Sequence, residues 1–456
     1  MPISGNEDLL ANANPSKSFF IAMLTRDIDL VDCILDLLDN SVDGIGEAAR
    51  RQGVQLDHDQ PFVGHLVEIS FGRDSFRISD ASGGIPIQVA EDYAFRFGRP
   101  DDAPLLQEGT IGLYGIGMKR AMFKMGNLVE IKSSTGSESF ELNLNVDEWR
   151  RDPQIRLEHG RQLVEWSFPL TRVVRNGSTV PAGTVIEVKE LYPGIGRQFD
   201  SPAFIERLRR MIARDYAFIL SRGLKVRVNT ADIVPVMPRM RVSDEFAPFK
   251  HVEIHEGVKI EITAGLADPP PDDTSATARN PDSGVYGWYV VCNDRVVVSA
   301  DKSSDTGWGM RPVPAWHPQF IGFMGVVRFD SAEPSKLPWK TTKRDVEASN
   351  TFYQLALPTM IKATKRWVDY TNKRRADAKR LKKMERAAKQ VPVSRITVSE
   401  QMRLPMTTKN DVVVIEYVRE AADVEAAAEA LGIVGSSPTE VGIQTFEYFF
   451  KREVVR

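Results

Sequence analysis

Acidic and amide side chains repeat along one face of a predicted helix between Asp27 and Gly46. They lie three or four positions apart: Asp29, Asp32, Asp36, Asn40 and Asp43. A stripe of aliphatic residues follows the same segment, so one side of the helix packs in a core while the other presents oxygen atoms. Such a face can hold a divalent cation. An ordinary core helix with a solvated acidic face would have the same pattern.

Two glycine-rich stretches follow. In Asp80-Ala-Ser-Gly-Gly84 a carboxylate ends a predicted strand, and paired glycines let the backbone pass close to a flat ligand, or simply make a turn. Glycines 109, 112, 115 and 117 precede a predicted helix, whose exposed N–H groups bind phosphates, and Lys119 adds a positive charge. The glycine spacing is neither that of a Walker A loop nor that of a Rossmann fingerprint.

Composition limits the class of protein. The chain has 456 residues, of which 42% are hydrophobic, enough for two or three domains with real cores. Its two cysteines form no CxxC pair, which argues against a disulfide framework or a zinc site. The sequence has neither a leader nor an apolar run of membrane-spanning length, and so predicts a soluble, cytoplasmic protein without membrane contact.

Alternating segments around the glycine loops predict an antiparallel sheet. One of its strands opens with Gly183-Thr184, and the Thr184 hydroxyl is placed to hold a water between Asp80 and a ligand. A strand-initiating turn is the equally simple interpretation. Further on, we read Gln162–Leu170 and Val252–Gly265 as strands and Phe204–Leu220 as one helix.

The order of these motifs resembles the four boxes of the GHKL ATPases, which include gyrase B, MutL, the ninety-kilodalton heat-shock chaperones, histidine kinases and MORC proteins. Ile111-Gly-Leu-Tyr-Gly-Ile-Gly-Met-Lys119 looks most like the MORC version of the lid. The resemblance implies an α+β Bergerat-type sandwich, in which a mixed sheet is covered by helices. It also implies an α/β transducer domain, which a small C-terminal module follows in this sequence.

The resemblance assigns roles to individual residues. Asn40 matches the asparagine that binds Mg²⁺ beside the triphosphate, Asp80 matches the adenine-binding aspartate, and Thr184 supports Asp80 through water. Asp36 stands where the family places the glutamate that activates water. The other positions carried over to ATP binding are Asp43, Gly84, Ile85, Gly112, Leu113, Tyr114, Gly115, Ile116, Gly117, Met118 and Lys119.

Two positions depart from the family pattern. Aspartate at 36 is one methylene shorter than glutamate, so the water must move or the helix must lie closer by about 1 Å. Asp36 is then either a slow base or the reason why the protein binds ATP without hydrolysing it. Ser82 replaces the first glycine of the Asp-x-Gly-x-Gly box, while Gly84 stays in register.

The second half of the chain resembles the transducer domain of gyrase B, MutL, topoisomerase VI B and MORC proteins. In those families a lysine on a transducer loop contacts the γ-phosphate. Lys343, in Thr-Thr-Lys-Arg-Asp, is the match, and Lys340 is the alternative. A solvated basic loop is the structural interpretation of the same residues.

A basic segment lies near the C-terminus. Between residues 362 and 389, twelve Lys and Arg face three Asp and Glu, a local surplus of nine positive charges. This density favours salt-dependent binding to the backbone of DNA, or else a solvated basic stalk. Residues 391–456 predict a separate module, with an aromatic run suited to a protein partner.

Together these expectations describe a slow, magnesium-dependent ATPase that dimerises on binding ATP and closes as a clamp on DNA. The predicted domains are an ATP-binding domain (1–195, lid 91–119), a transducer (196–350), a basic helical linker (351–390) and the C-terminal module (391–456). The alternatives are a chaperone-like ATPase acting on proteins and a topoisomerase-like subunit. A sensor kinase would need a phosphoacceptor histidine on a preceding helix, which this sequence lacks. The MORC resemblance also suggests prokaryotic genome defence, which no residue here indicates by itself.

Overall fold

The computed structural model describes residues 15–54, 59–98, 110–112, 115–151, 157–158, 161–162, 166–271, 284–397, 399, 401–405, 415 and 417–454. It divides into two compact units, Met1–Met406 and Thr407–Arg456. The predictions for Leu113 and Tyr114, and for lid residues 99–109, lie outside the described residues.

The α-helices described in the first unit are numbered here in chain order. They are α1 (Lys17–Arg26), α2 (Leu30–Arg51), α3 (Ile87–Val89), α4 (Gly117–Met125), α5 (Val146–Arg151), α6 (Pro193–Phe199), α7 (Pro202–Asp215), α8 (Ala217–Ser221), α9 (Thr351–Arg374) and α10 (Ala378–Ala387). A π-helical turn, Ala90–Ala94, continues α3.

An eight-stranded mixed sheet forms the first half of this unit. In chain order the strands are β1 (Leu66–Phe71), β2 (Ser75–Asp80), β3 (Gly126–Ser134), β4 (Ser139–Asn145), β5 (Leu157–Glu158), β6 (Arg161–Gln162), β7 (Leu170–Val174), β8 (Gly183–Leu191), β9 (Lys225–Val228) and β10 (Ala231–Asp232). The sheet order is β10-β9-β1-β2-β8-β3-β4-β7, and β5 and β6 form a separate hairpin. Only the β1–β9 pairing is parallel among the pairings that the described strands make in this sheet.

The central helix α2 follows from its residues. Asp29 caps it by accepting a hydrogen bond from the Val31 amide, and its aliphatic stripe is buried against α4 and β2. The helix is longer than its sequence pattern predicts and ends at Arg51. Its acidic face is not simply solvated, because Asp36 and Asp39 are buried while Asn40 is exposed.

A second, five-stranded sheet is built by β12 (Phe249–His255), β13 (Val258–Leu266), β14 (Gly287–Cys292), β15 (Arg295–Asp301) and β16 (Phe323–Ser331), in the order β12-β13-β16-β14-β15. The buried face of α9, which includes Met360 and Trp367, packs against β13 and β16. Two further strands, β11 (Arg239–Val242) and β17 (Lys389–Pro392), pair with each other.

Three element predictions were wrong in detail. The predicted strand from 252 to 265 is the hairpin β12–β13, turned by Glu256 and Gly257, both of which have the positive φ of a two-residue turn. The predicted helix from 204 to 220 is interrupted at Tyr216, between α7 and α8. The predicted strand from 162 to 170 is β6 and the start of β7, with Trp166 in a turn between them.

The predicted fold class is confirmed: a mixed sheet covered by helices is followed by further α/β structure. The domain boundaries remain predictions. Two observations bear on them, since β9 and β10 belong to the first sheet and α9 packs against the second.

The second unit contains α11 (Ala421–Leu431) and α12 (Pro438–Phe449). Gly432 ends α11 in the left-handed conformation that suits glycine. Large apolar side chains of this unit are exposed, among them Ile443, Phe446, Phe449 and Phe450. Across the described residues of both units, no helix combines the length and apolarity needed to cross a bilayer.

Candidate functional site

A cavity of about 300 Å³ lies beside α2, at the low end of the range for ligand pockets. Its wall combines α2, the loop after β2, the start of α4, the beginning of β8 and the loop at 341–343. The predicted site residues that it brings together are Asp36, Asn40, Asp80, Gly84, Ile85, Gly112, Gly115, Ile116, Gly117, Met118, Lys119, Thr184 and Lys343.

Asp80 forms part of the cavity wall. Its carboxylate accepts hydrogen bonds from the Ser41 hydroxyl at 3.1 Å, from the Ser82 hydroxyl and from the Ser82 amide at 3.2 Å. Burial raises the pKa of Asp80, and these hydrogen bonds, with one from the Thr184 amide, oppose the rise. Ser82, the departure from the glycine of the family box, therefore helps to hold this carboxylate in place.

The Gly84 backbone packs directly against the backbone of β3, so this glycine is needed for contact within the protein. A Cβ at Gly84 would lie 1.9 Å from the Ser134 carbonyl oxygen, and its φ of 65° also favours glycine. The neighbouring Ile85 amide donates to the Ser133 hydroxyl at 2.7 Å, and this hydroxyl is 2.9 Å from that of Thr184. Thr184 thus belongs to the wall that holds the loop beside Asp80.

Asp36 lines the cavity and is paired with Arg120 of α4. The Arg120 Nη2 donates to the Asp36 Oδ2 at 2.5 Å, with both side chains nearly buried. Burial raises the pKa of Asp36, while the positive charges of Lys343 and Arg120 oppose the rise. The Arg120 Nε is buried with no hydrogen-bond partner in the described part of the chain. An N–H left unpaired costs about 1–3 kcal/mol, and it lies beside the cavity in which a ligand would bind.

Asn40 is an exposed side chain on an otherwise largely buried helix, and it lines the cavity. Its Oδ1 would lie 3.4 Å from a Cβ on Gly112, so its amide is next to the glycine loop. Within the described residues, no three His, Cys, Asp or Glu side chains converge as a metal cage. The Asn40 amide oxygen fits Mg²⁺, which usually binds through one or two protein ligands and the oxygens of substrate phosphates.

Asp43 holds the glycine loop from behind. Its two carboxylate oxygens accept from the amides of Ile111 and Gly112, each at 2.7 Å. Burial raises the pKa of Asp43 to about 7 despite these hydrogen bonds. The structure therefore connects Asp43 with the conformation of the loop.

Lys119 is almost fully buried. Its Nζ donates to the Ala94 carbonyl at 2.9 Å, which joins α4 to the π-helical turn. Burial lowers the pKa of Lys119 to about 7. It therefore carries only part of a positive charge at neutral pH, in place of the full charge that the sequence suggested.

Lys343 reaches the cavity from the second half of the unit. Its Nζ donates to the Asp39 Oδ2 at 2.8 Å, and both groups are buried. Lys343 has a φ of 52°, an uncommon conformation outside glycine that is found preferentially at functional sites. Lys340, the alternative, pairs with Asp345 at the surface.

The sequence analysis missed the buried network around Asp39. This carboxylate also accepts from the Tyr216 hydroxyl at 2.5 Å and from the Arg295 Nε at 3.3 Å. A signal was available, because Asp39 lies at the edge of the aliphatic stripe of α2 and Arg295 opens an otherwise apolar strand. A buried charge of this kind requires a partner.

A second set of ion pairs continues the network. Arg344 donates to Asp32 at 2.5 Å and to Asp215 at 2.7 Å. Arg295 also lies 3.4 Å from Asp215. Helices α2 and α7, strand β15 and the 341–344 loop are thereby joined by charge.

The cavity brings together two carboxylates, an amide and a glycine loop before a helix, a combination that suits a nucleotide. Residues 28–168 match the family model of histidine kinase-, DNA gyrase B- and HSP90-like ATPases. This segment is therefore a domain of the GHKL ATPase superfamily, and ATP binding is the function that the domain supports. Among curated proteins, none matches the sequence significantly.

The matched segment contains α2, the Asp80 loop and the described start of α4. It ends before Thr184 and Lys343, so those two roles depend on the resemblance and the geometry alone.

Proposed function

We propose that the chain is a Mg²⁺-dependent ATPase whose nucleotide state controls its second half. The observation that carries the proposal is the shared cavity, in which Asp36, Asn40 and Asp80 of the ATPase domain meet Lys343 of the following part. Asp80 would bind the adenine amino group, and Asn40 would hold Mg²⁺ beside the phosphates. Bound Mg²⁺ would supply charge neutralisation for the triphosphate.

In the proposed reaction, a water oxygen forms a bond to the γ-phosphorus while the bond to the bridging oxygen of ADP breaks. Asp36 accepts the proton that the water loses. Its buried setting supports this role, because a base with a raised pKa is better matched to neutral pH than a solvated aspartate. General-base assistance is worth about 10²–10⁴-fold.

Lys343 would couple hydrolysis to the rest of the molecule. It is held by Asp39, a carboxylate that has two other donors, Arg295 and Tyr216. We propose that the γ-phosphate draws Lys343 away from Asp39 and that release of the phosphate returns it. The loop at 341–344 would then differ between the ATP and ADP states.

We further propose that ATP favours a homodimer that closes as a clamp on DNA, in the manner of MORC-like proteins. The support is the basic segment, where Lys373, Lys379 and Lys383 are exposed on α9 and α10. Arg374 is unavailable, since Glu385 holds it in a buried pair at 2.7 and 2.9 Å. A role in prokaryotic genome defence depends on the resemblance alone.

The second unit is proposed as a protein contact. Its Ile443, Phe446, Phe449 and Phe450 are exposed on α12 and the turn after it, and the rings of Phe446 and Phe450 stack; exposed apolar groups of this kind mark interaction sites. The buried, unpaired thiols of Cys33 and Cys292 agree with a reducing, cytoplasmic location.

The test is ATP turnover and light scattering, with and without DNA, on the wild type and on Asp36→Ala. Abolished turnover with retained ATP-dependent dimerisation would support a hydrolysing clamp with Asp36 as its base. Tight ATP binding without turnover in the wild type would instead make the protein a nucleotide-sensing switch.

DNA retention tests the clamp. Circular DNA should be retained in an ATP-dependent way by the wild type, longer by Asp36→Asn, and not by Lys343→Ala. Lys340→Ala is the matched control, because this lysine pairs at the surface. Equal retention in all four proteins would contradict the clamp.

A further inference from the structure

In this cavity the proposed base, Asp36, does not stand alone, because it is paired with Arg120. It lies in the first turn of α4, directly after the glycine loop, and lines the same cavity as Asp36. We infer that Arg120 is a positioning residue for Asp36: it fixes the Oδ2 of the carboxylate, so that Oδ1 is the oxygen presented to the attacking water. The inference rests on the proposed hydrolysis of ATP.

The geometry of the ion pair carries the first step. The Arg120 side chain is 11% exposed and that of Asp36 is 9% exposed, and a 2.5 Å hydrogen bond joins Nη2 to Oδ2. Among the described residues no other hydrogen-bond donor contacts the Asp36 carboxylate. One oxygen is therefore fixed, and the other is left for a ligand or a water.

Packing limits the remaining freedom of Asp36. A Cβ on Gly117 would lie 3.1 Å from the Asp36 Cβ, Cγ and Oδ2, so the backbone of α4 lies directly against this side chain. Short aspartate, close glycine and long arginine are complementary. Arg120 therefore orients the carboxylate of a side chain that is one methylene shorter than glutamate.

Charge supplies the third step. Lys343 and Arg120 are the two cations that oppose the effect of burial on the pKa of Asp36, whereas the nearby Asp39 carboxylate adds to that effect. If the γ-phosphate draws Lys343 away, Arg120 remains as the cation that keeps the carboxylate ionised. Because Arg120 belongs to α4, the base would be completed only when this helix lies against α2.

The experiment compares the wild type with Arg120→Gln, Arg120→Lys, Asp36→Asn and Arg120→Gln/Asp36→Asn. Arg150→Gln is the matched control, since Arg150 is a partly exposed arginine of α5 that pairs with Asp147. The measurements are the pH profile of kcat, the Kd for a fluorescent ATP analogue and the thermal unfolding of each variant.

We expect Arg120→Gln to lower kcat by about 10–100-fold, a part of the effect of a general base, with Kd changed by less than about threefold. The acidic limb of the profile should move to higher pH, because removing a cation makes the buried carboxylate harder to ionise. Arg120→Lys should be intermediate. In the Asp36→Asn background, Arg120→Gln should cause no further decrease in kcat.

An unchanged kcat and acidic limb in Arg120→Gln would overturn the inference. So would weaker ATP binding with an unmoved limb and an additive decrease in kcat in the double variant, which would make Arg120 a nucleotide ligand. If Arg120→Gln fails to fold, the limb shift in Arg120→Lys decides. Failure of the proposed function would look different, as a wild type without turnover or an Asp36→Asn variant as active as the wild type.

Discussion

At the scale of single residues, Asp39 is where the two halves of the first unit meet. It is a carboxylate with 1% of its surface exposed, and it accepts from Lys343, Arg295 and Tyr216. Burial alone would raise the pKa of Asp39, but Lys343 and Arg295 hold it below its ordinary value. Its neighbour Asn40 lines the cavity, so of two adjacent residues of α2 one joins the interior network and the other borders the cavity.

Asp39→Asn should therefore destabilise the protein strongly. The substitution leaves two buried cations with less negative charge, and breaking a buried pair from one side costs about 3–5 kcal/mol. Because the pKa of Asp39 is depressed, its stabilisation is present above the unfolded value of 3.8 and disappears as pH falls through the folded value. Urea unfolding at neutral pH and at more acidic pH measures both effects.

The control for this prediction is Asp345→Asn, which removes a surface pair with Lys340. Such pairs are worth about 0–1 kcal/mol. An Asp39→Asn variant as stable as this control would show that the network around Asp39 contributes little.

At the scale of elements, α4 connects the glycine loop with the core through Lys119. Its amine is buried against the Ala94 carbonyl, and burial lowers its pKa to about 7. Between about pH 7 and 10.5 the unfolded chain therefore binds a proton that the folded chain lacks. The free energy of unfolding should rise with pH across this window, by up to about 1.4 kcal/mol per pH unit.

Lys119→Met removes this titration while keeping the shape of the side chain. We expect the variant to lack that part of the rise in unfolding free energy between pH 7 and 10 that the wild type shows. Lys124→Met, on the same helix with its Nζ on the Thr25 carbonyl, should keep the rise. Equal slopes in wild type and Lys119→Met would mean that Lys119 stays charged in the folded protein.

The sequence predicted α2 well because its pattern is local: one aliphatic stripe over about five turns identifies the helix and its buried face. It predicted which loops meet at the cavity because the family resemblance supplies the fold. It could not predict that Lys343 would rest on Asp39, or that Arg120 would hold Asp36. Those pairs join residues 304 and 84 positions apart, and no local pattern encodes a partner at that distance.

The hairpin β12–β13 was mispredicted for the opposite reason. Its turn is only two residues long, and Glu256 stands before the glycine where Asn or Asp is usual. The alternation of apolar and polar residues therefore continued across the turn. The break at Tyr216 was missed similarly, since a tyrosine between two helical stretches is typical of a continuous helix. Its hydroxyl is instead held by the Leu35 carbonyl and Asp39, interactions that only the folded chain provides.

At the scale of the whole molecule, charge is unevenly distributed. The net charge is −3, yet residues 362–389 carry a surplus of nine positive charges. Most of this positive charge remains at the surface. Arg374 and Glu385 neutralise each other in the interior, and most of the other lysines and arginines of the segment are exposed. A protein with a net negative charge thereby carries one exposed cationic segment, which suits a polyanion without sequence recognition.

This cationic segment makes the salt dependence of DNA binding the decisive measurement. Replacing Lys379, Lys383 and Arg386 of α10 with glutamine should lower affinity for any DNA sequence about equally. The slope of log K against log salt should fall by about 0.9 for each phosphate that α10 no longer neutralises.

A protein with glutamine at Arg150, Arg172 and Arg227, all at least partly exposed on the first sheet or α5, is the charge-matched control. Equal slopes in the two triple variants would contradict DNA binding at α10, because net charge alone would then explain any binding. A slope reduced only in the α10 variant, with ATP turnover retained, would assign DNA binding to α10 and separate the DNA site from the nucleotide cavity.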